Sequence, residues 1–552
     1  MGNVVFWICF WLLIIVLVYS SYQRRRRAHE SRRNNLRDSF GDFKSDGGGS
    51  DRFDSRPMLF ETVTKESPDD FVIDDITAND LAFRKIYSAM NRCVTSAGED
   101  YLFCRFMTMP KDDREPAGFY EDVCAALDDK DKAVSFLFAL DLYTKHRKRD
   151  DLRILSSIRD AGHMSVGADI ACIIFLICAV ILTGIYPIIG LVMLIASIVT
   201  CIAVYFAQKR KMDDHLSALA LCLNMTRVSD ALIKAGCTRF EKYKDLSYLR
   251  RGSSVISYKD GTSSNPLDIL FDYLRMISHA DLFVYKIKIG RIKQRADDFT
   301  ALYKEIGRLD AALSVASYLA KRKHTKAQFI TDDRIAARQL YHPLLSDPVY
   351  NDIDTAKSVL VTGSNASGKS TFLKAVGINA IFARSFGFAF ADSFETGVSF
   401  VYSSMALADD ITGAKSYYVV EAESIKRITD KVNLVSGNHL VLIDEVLRGT
   451  NTVERIAAST AILKYLCRDN VLCFAATHDL ELTALLADHM DMYYFSEEIH
   501  GDNVTFPFII RKGVSDRTNA ISLLAMLGFD EGVVASAREL TQHYKSMGNW
   551  TS

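Results

Sequence analysis

The chain has 552 residues, room for several domains and a large core. Its 67 basic and 68 acidic residues leave a net charge of −1, which excludes a global field that would gather nucleic acid or anionic lipid; any such attraction must be local. Eleven cysteines with no C-x-x-C pair make neither a disulfide framework nor a zinc pattern, so they read as small buried apolar residues in a reducing compartment, and no zinc is expected.

The first segment, Val4 to Ser20, is apolar and is followed at once by Arg24 to Arg27. A secretory signal carries its positive charge before the apolar stretch, so the reversed order predicts an uncleaved anchor over residues 1–23, with Met1 outside and the arginines inside. Residues 24–60 are basic, Gly/Ser-rich and poor in aliphatics. Such a stretch cannot bury enough apolar area to offset its ordering entropy, and a flexible tether is expected.

Between Ile170 and Ala207 there is no charged residue. One span needs roughly 20 apolar residues, so a run of this length suits two. Gly184-Ile-Tyr-Pro187 punctuates it near the middle, and Tyr186 suits a water–lipid interface. Lys145 to Arg149 and Arg153 precede the run, and Lys209-Arg-Lys211 follows it. Basic residues at both ends predict a membrane hairpin over residues 166–208 with a tight outer turn. The expected location is a cell membrane crossed three times, with every large polar region cytoplasmic.

Further on, the β-like run Val359-Leu-Val361 feeds Gly363-Ser364-Asn365-Ala366-Ser367-Gly368-Lys369-Ser370, and a helical pattern starts at Thr371. Strand, glycine loop and helix make the context in which G-x-x-x-x-G-K-[ST] binds ATP. Loop N–H groups face the phosphates, Lys369 reaches the β/γ oxygens and Ser370 binds Mg²⁺. His439 to Ile443 is a buried-strand run ending in Asp444 and Glu445. Asp444 is expected in the Mg²⁺ shell and Glu445 to activate the attacking water. A second apolar run, Val471 to Ala476, ends in Thr477-His478, and His478 is placed to sense the γ-phosphate.

These stretches, with "ADDITGAKSYYVVEAESI" (408–425), "VLIDEVLRGTNT" (441–452) and "VSDRTNAISLLAMLGFDEGVVASAREL" (514–540), resemble in order the ATPase domain of the MutS family. The resemblance implies an α/β P-loop, ABC-like ATPase domain over 335–552 and a dimer with composite sites. Ser416 falls at the family's signature serine, which reaches the nucleotide of the other subunit. "LYHPLLSDPVYNDI" (340–353) resembles the segment that covers the adenine, with Val349 and Tyr350 both near the stacking position and Tyr350 the better suited chemically. Two departures stand out: Ser364 occupies a typical proline position, and Leu447 a typical glycine position.

"TSAGEDYLFCRFMTMP" (95–110) and "EIGRLDAALSVASYLAKRK" (305–323) resemble parts of the family's helical core, which implies a core split into 61–165 and 209–334 around the hairpin. The Phe-x-Glu wedge of mismatch-repair members has only chance counterparts, at Phe119, Phe495 and Phe529. "KIKIGRIKQR" (286–295) is the best local basic stretch, and a solvated helix face explains it adequately. The expected function is therefore a membrane-anchored, MutS-like homodimeric ATPase using ATP and Mg²⁺ to drive a helical clamp, with lipid as a partner and DNA as a candidate cargo. The alternatives are an ABC-type transporter and a membrane scaffold. The lack of charged intramembrane residues argues against the first, and the intact Lys369, Asp444 and Glu445 against the second.

Overall fold

The structure, a computed structural model, describes residues 19–20, 23, 26–28, 30–42, 50–143, 150–160, 165–250, 273–274, 276–364, 367–405, 417–447, 450–500, 503–514, 521, 524 and 528–547. Most of the expected N-terminal anchor lies outside these residues. The chain divides into two compact units: Met1–Val63, Met90–Cys104 and Asp122–Ala320 form one, and Thr64–Ala89, Arg105–Glu121 and Lys321–Ser552 the other.

The first unit is helical. Within the stretch expected as a tether, residues 30–39 form a helix, and Arg32 makes a two-pronged pair with Asp141 at 2.6 and 2.9 Å. The main helices are α1 (Asp151–Asp160), α2 (Gly167–Ile185), α3 (Pro187–Lys234), α4 (Ala280–Gln294) and α5 (Ala296–Leu319). Phe299, Leu302, Ile306, Leu309 and Leu313 recur along α5 at helical spacing and are all buried. Its small residues let neighbours approach: a Cβ on Gly307 would stand 2.5 Å from the Ala97 carbonyl oxygen. Asp310, fully buried, accepts hydrogen bonds from the backbone N–H of Val94 and Thr95 and from the Thr95 hydroxyl, at 3.2, 2.7 and 2.6 Å. Thr95 and Gly98 are thus tied to α5, more than 200 residues away in sequence.

Two apolar helices leave this unit as a hairpin. Pro187, whose missing N–H costs nothing at a helix start, opens α3 after the extended Tyr186. The arms touch backbone to backbone at Gly190, where a Cβ would lie 2.2 Å from the Thr183 Cα. Hydroxyls within the arms bond their own helix: Thr183 to the Ala179 carbonyl, Ser197 to Leu194 and Thr200 to Ala196, each at 2.8 Å. Gly167–Ile185 and Pro187–Arg210 are each long and apolar enough to cross a membrane, and only 17% and 22% of their most apolar windows are buried. His215–Lys234 also meets the length and composition criteria, but 61% of its window is buried. It is the other half of α3, and Leu219, Cys222, Met225, Val228 and Leu232 bury it in the helical unit.

The second unit is built on a six-stranded sheet of β1 (Val359–Thr362), β2 (Phe400–Ser404), β3 (His439–Asp444), β4 (Val471–Thr477), β5 (Asp491–Phe495) and β6 (Ile510–Lys512). The order is β2-β3-β4-β1-β5-β6, parallel throughout except for the β5–β6 pair. Near-continuous apolar runs in β1, β3 and β4 are what a parallel sheet covered on both faces requires. Val441 and Ile443 of β3 share a core with Ile425 and Ile428 of α7 (Tyr417–Leu434) and Leu463 and Leu466 of α8 (Thr452–Leu466). Leu442 points the other way, onto α6 (Lys369–Phe386), where a Cβ on Gly377 would stand 2.4 Å from its Cδ1.

Segments from early in the chain complete this unit. Asp80 accepts from the Ser403 hydroxyl at 2.6 Å and from the Met405 N–H at 3.0 Å. Arg105 pairs with Glu115 and donates to the Ser385 carbonyl at 2.7 Å. A smaller mixed sheet, in the order Gln328–Phe329, Ser393–Thr396, Ile335–Leu340 and Asn351–Thr355, carries the 340–350 segment between its last two strands.

Candidate functional site

Three adjacent parallel strands, β3, β4 and β1, end side by side. Asp444 pairs with Ala476, and Thr477 with Thr362. Crevices at the carboxyl ends of such strands are where α/β sheets place ligands. The glycine loop leaves β1 with Gly363 at φ 147° and reaches α6 through Gly368 at φ 107°. Both are positions a side chain could not take. A Cβ on Gly363 would meet the Phe495 carbonyl oxygen at 2.8 Å, and one on Gly368 would meet the Phe508 ring at 3.1 Å.

Lys369 opens α6 and folds back over the loop. Its Nζ donates to the carbonyl oxygens of Gly363 (2.7 Å) and Ser364 (2.8 Å) and lies 3.2 Å from His478 Nε2. The same ring nitrogen is 2.9 Å from Glu445 Oε1. With a proton on Nε2 the imidazole donates to Glu445; without one it accepts from Lys369. His478 thereby links the loop lysine to the acid at the end of β3. Glu445 itself sits at φ 63°, and its N–H donates to the Ala476 carbonyl at 2.9 Å, so the turn after β3 is tied to β4.

Leu447, at the position where the family resemblance expects glycine, also has positive φ, 59°, and is buried in the α7/α8 core. The side chain's burial compensates a backbone conformation that glycine would adopt freely. Ser364, the other departure, donates to Glu497 Oε2 at 2.9 Å, and Glu497 is almost fully buried. Proline there could not make that bond.

Of the sequence-predicted residues, Gly363, Ser364, Ser367, Gly368, Lys369, Ser370 and Thr371 lie on the loop and the first turn of α6, with Asp444, Glu445 and His478 at the neighbouring strand ends. Asn365, Ala366 and Ser416 lie outside the described residues. Beside the loop is a cavity of about 240 Å³, lined in part by His342, Leu345, Val349, Phe372, Phe495 and Phe508. Tyr350 packs edge-on against Tyr341 at 5.4 Å, with the Lys323 ammonium 5.1 Å from its ring centroid. Val349, the other residue near the expected stacking position, lines the cavity.

His342, Phe508 and Glu497 are residues of this site that the sequence reading missed. Burial, helped by Lys374, pushes the His342 imidazole down to about 4, and its Nδ1 accepts from the Leu344 N–H at 3.2 Å. His342 is therefore a neutral ring at ordinary pH. It lies inside the 340–353 segment that already stood out; nothing in "NVTFPFII" marked Phe508. Of the chance Phe-x-Glu phenylalanines, Phe119 and Phe495 are buried and unable to wedge into anything, while Phe529 is half exposed.

A six-stranded, mostly parallel sheet with a glycine loop entering a helix, and acidic and histidine side chains gathered at its strand tips, defines an α/β domain. The family model for MutS domain V matches residues 359–545. The chain is 32% identical over 263 residues to DNA mismatch repair protein MutS 1 of Halobacterium salinarum, covering 45% of this chain and 30% of that protein. It is 29% identical over 257 residues to DNA mismatch repair protein MutS of Thermus aquaticus, covering 46% and 31%. Against MutS of Thermosipho melanesiensis the figures are 31% over 261 residues, 45% and 31%. The similarity to MutS domain V and to these MutS proteins is thus carried by the C-terminal region of the chain. The matched stretch spans about a third of the length of these relatives.

Proposed function

We propose that the protein is a membrane-anchored, MutS-like P-loop ATPase that couples ATP binding and hydrolysis to movement of a dimeric helical clamp. The observation that carries this reading is the convergence of Lys369, His478 and Glu445 at the ends of three adjacent strands, beside the glycine loop and a cavity of about 240 Å³.

The residues present fit ATP and magnesium. Gly363 and Gly368 keep the loop free of side chains, and the Ser367 hydroxyl is buried with no hydrogen-bond partner. A phosphate oxygen is the natural acceptor for such a group. The cavity offers a neutral imidazole and a phenyl ring to a purine, with Val349 on its lining. Bound ATP with Mg²⁺ supplies the transferable phosphoryl group. In this reading Lys369 exchanges the carbonyls of Gly363 and Ser364 for phosphate oxygens, while Ser370 and Asp444 hold the magnesium shell. Glu445 takes a proton from the attacking water, and His478, released from Lys369, follows the phosphate. Ser416 of a partner subunit completes the site across a dimer interface.

The hairpin is the second part of the proposal. Two helices of spanning length, mostly unburied and with self-satisfied hydroxyls, match what a bilayer demands of a polypeptide. The expected orientation places the Gly184–Pro187 turn outside and the sheet unit in the cytoplasm. The similarity to DNA mismatch repair proteins makes DNA the first cargo to try. The test is ATP turnover by the detergent-solubilised chain, with and without mismatched, matched and single-stranded DNA, for wild type and Lys369→Ala. Turnover that Lys369→Ala leaves intact would refute the assignment of the site. Turnover indifferent to every form of DNA would remove DNA as the cargo.

A further inference from the structure

Among the described residues, one group of soft donors comes together: Cys172 of α2, Cys201 of α3 and His279 at the start of α4, all buried, with their ligand atoms within 4.8 Å of one another. Their separations, 29 residues and 78 residues, resemble no metal-binding spacing, which is why the sequence reading expected no zinc. Donors on a tetrahedral ion about 2.3 Å away lie about 3.8 Å apart. The three groups therefore need to close by only about 1 Å.

The surroundings are those of a supported ligand. His279 Nδ1 donates to Asp169 Oδ1 at 2.9 Å, and Asp169 Oδ2 accepts from Lys286 Nζ at 2.5 Å. A carboxylate behind the imidazole fixes its orientation and raises the basicity of the other nitrogen, the arrangement common behind metal-bound histidines. That other nitrogen, Nε2, donates to the Cys201 carbonyl oxygen at 2.8 Å, a hydrogen bond that an ion would replace with a bond to the same nitrogen. His279 is held in the left-handed region, at φ 50°, a cost that packing tolerates where a side chain must be aimed. Lys286 is further anchored by Gln208 Oε1 at 2.6 Å, and Tyr205 donates to Asp281 at 2.8 Å.

We propose that Cys172, Cys201 and His279 bind a thiophilic divalent cation, zinc in the first instance, which pins both arms of the apolar hairpin to the start of α4. Charge selects the divalent ion. Asp169 is already paired with Lys286 at 2.5 Å, so that lysine's charge is not free to offset a thiolate. Two thiolates then need two positive charges, and a monovalent ion would leave a buried negative charge uncompensated. Binding displaces the two Sγ–H protons and the Nε2 proton to solvent, while Nδ1–H stays on Asp169. Three protein donors leave the fourth position of the ion to water. The site does not depend on the ATPase reading or on the hairpin lying in a bilayer.

The test uses the full chain in detergent, stripped with chelator and titrated with Zn²⁺ against a chromophoric competitor, with metal content measured after gel filtration. One zinc per chain is expected, with proton release on binding. Cys172→Ser and Cys201→Ser should each weaken binding by about tenfold or more, while Cys178→Ser, on an exposed face of the same hairpin, leaves it unchanged. Substitution by Co²⁺ should give a thiolate charge-transfer band that disappears in the double serine variant. Failure to bind zinc in wild type of normal elution profile, or equal binding in the double serine variant, would overturn the proposal.

Discussion

The two units place their polar groups in opposite ways. In the sheet unit the apolar residues are inside and the reactive groups collect at strand tips: Lys369 is buried against the loop, but Glu445 and His478 keep partial access to solvent. In the helical unit a hairpin turns Ile174, Val180, Ile188 and Val192 outward, while Asp169, His279 and Lys286 are sealed at its base. Charges at strand tips can exchange partners with a ligand. Charges sealed beside a hairpin must be fully paired, and here each has a named partner. The first arrangement suits chemistry, the second the holding of two helices in place.

The sharpest way to break the contrast is to remove chemistry from the strand tips without touching the fold. Glu445→Gln keeps the shape of the side chain but cannot take a proton, and turnover should fall by about 10² to 10⁴-fold with nucleotide binding retained. Phosphate release and equilibrium nucleotide binding, measured side by side, check this; a parallel loss of both would mean that Glu445 is structural.

The next test reverses the polarity of the hairpin. Val199→Arg puts a charge on a surface that is 61% exposed, midway along the span. In a bilayer this costs about 2.5 to 3.5 kcal/mol at a helix centre, so membrane-integrated yield should drop; in water it would be harmless. The control lies farther along the same helix, where Leu219 is fully buried. Leu219→Ala should destabilise the helical unit by about 2 to 5 kcal/mol, read as a lowered unfolding midpoint.

A smaller effect is expected at Leu447. Replacement by glycine relieves a left-handed backbone, worth roughly 1 to 2 kcal/mol, but removes a buried leucine worth more. The variant should unfold slightly earlier than wild type; a more stable variant would show that the backbone term dominates.

A pH effect is also expected at His342. Its folded-state value, about 4, lies below the ordinary 6.5 because of burial, so the unfolded chain binds the proton more readily. The stability it contributes is complete above about pH 6.5 and is lost as pH falls towards 4. At about 1.4 kcal/mol per pKa unit the effect is on the order of 3 kcal/mol. His342→Phe should flatten that part of the pH profile of unfolding.

Much of the sheet unit was legible because its chemistry is local in sequence. The glycine loop, the strand run ending in Asp444-Glu445 and the one ending in Thr477-His478 each carry their role within about ten residues, and the sheet aligns their ends. The hairpin was legible for the same reason: an uncharged run with a Gly–Pro break needs no distant partner. What was not legible depends on distance. Phe508 reaches the cavity from a strand connection with no pattern of its own. Glu497 meets Ser364 across 133 residues. Asp310 caps Thr95 across more than 200 residues, and the cysteine–histidine group draws on three helices. The helix at 30–39 was hidden by a composition that reads as a tether, although Arg32 finds its partner more than a hundred residues on.

The proposed ATP site and the proposed membrane hairpin lie in one chain, and one measurement addresses both. The full chain is reconstituted in liposomes, floated on a density gradient, and its phosphate release measured in the floated fraction for wild type and Glu445→Gln. ATP turnover that floats with the lipid and collapses in the variant is the predicted result. Activity confined to the non-floating fraction, or floated wild type no more active than Glu445→Gln, would contradict it.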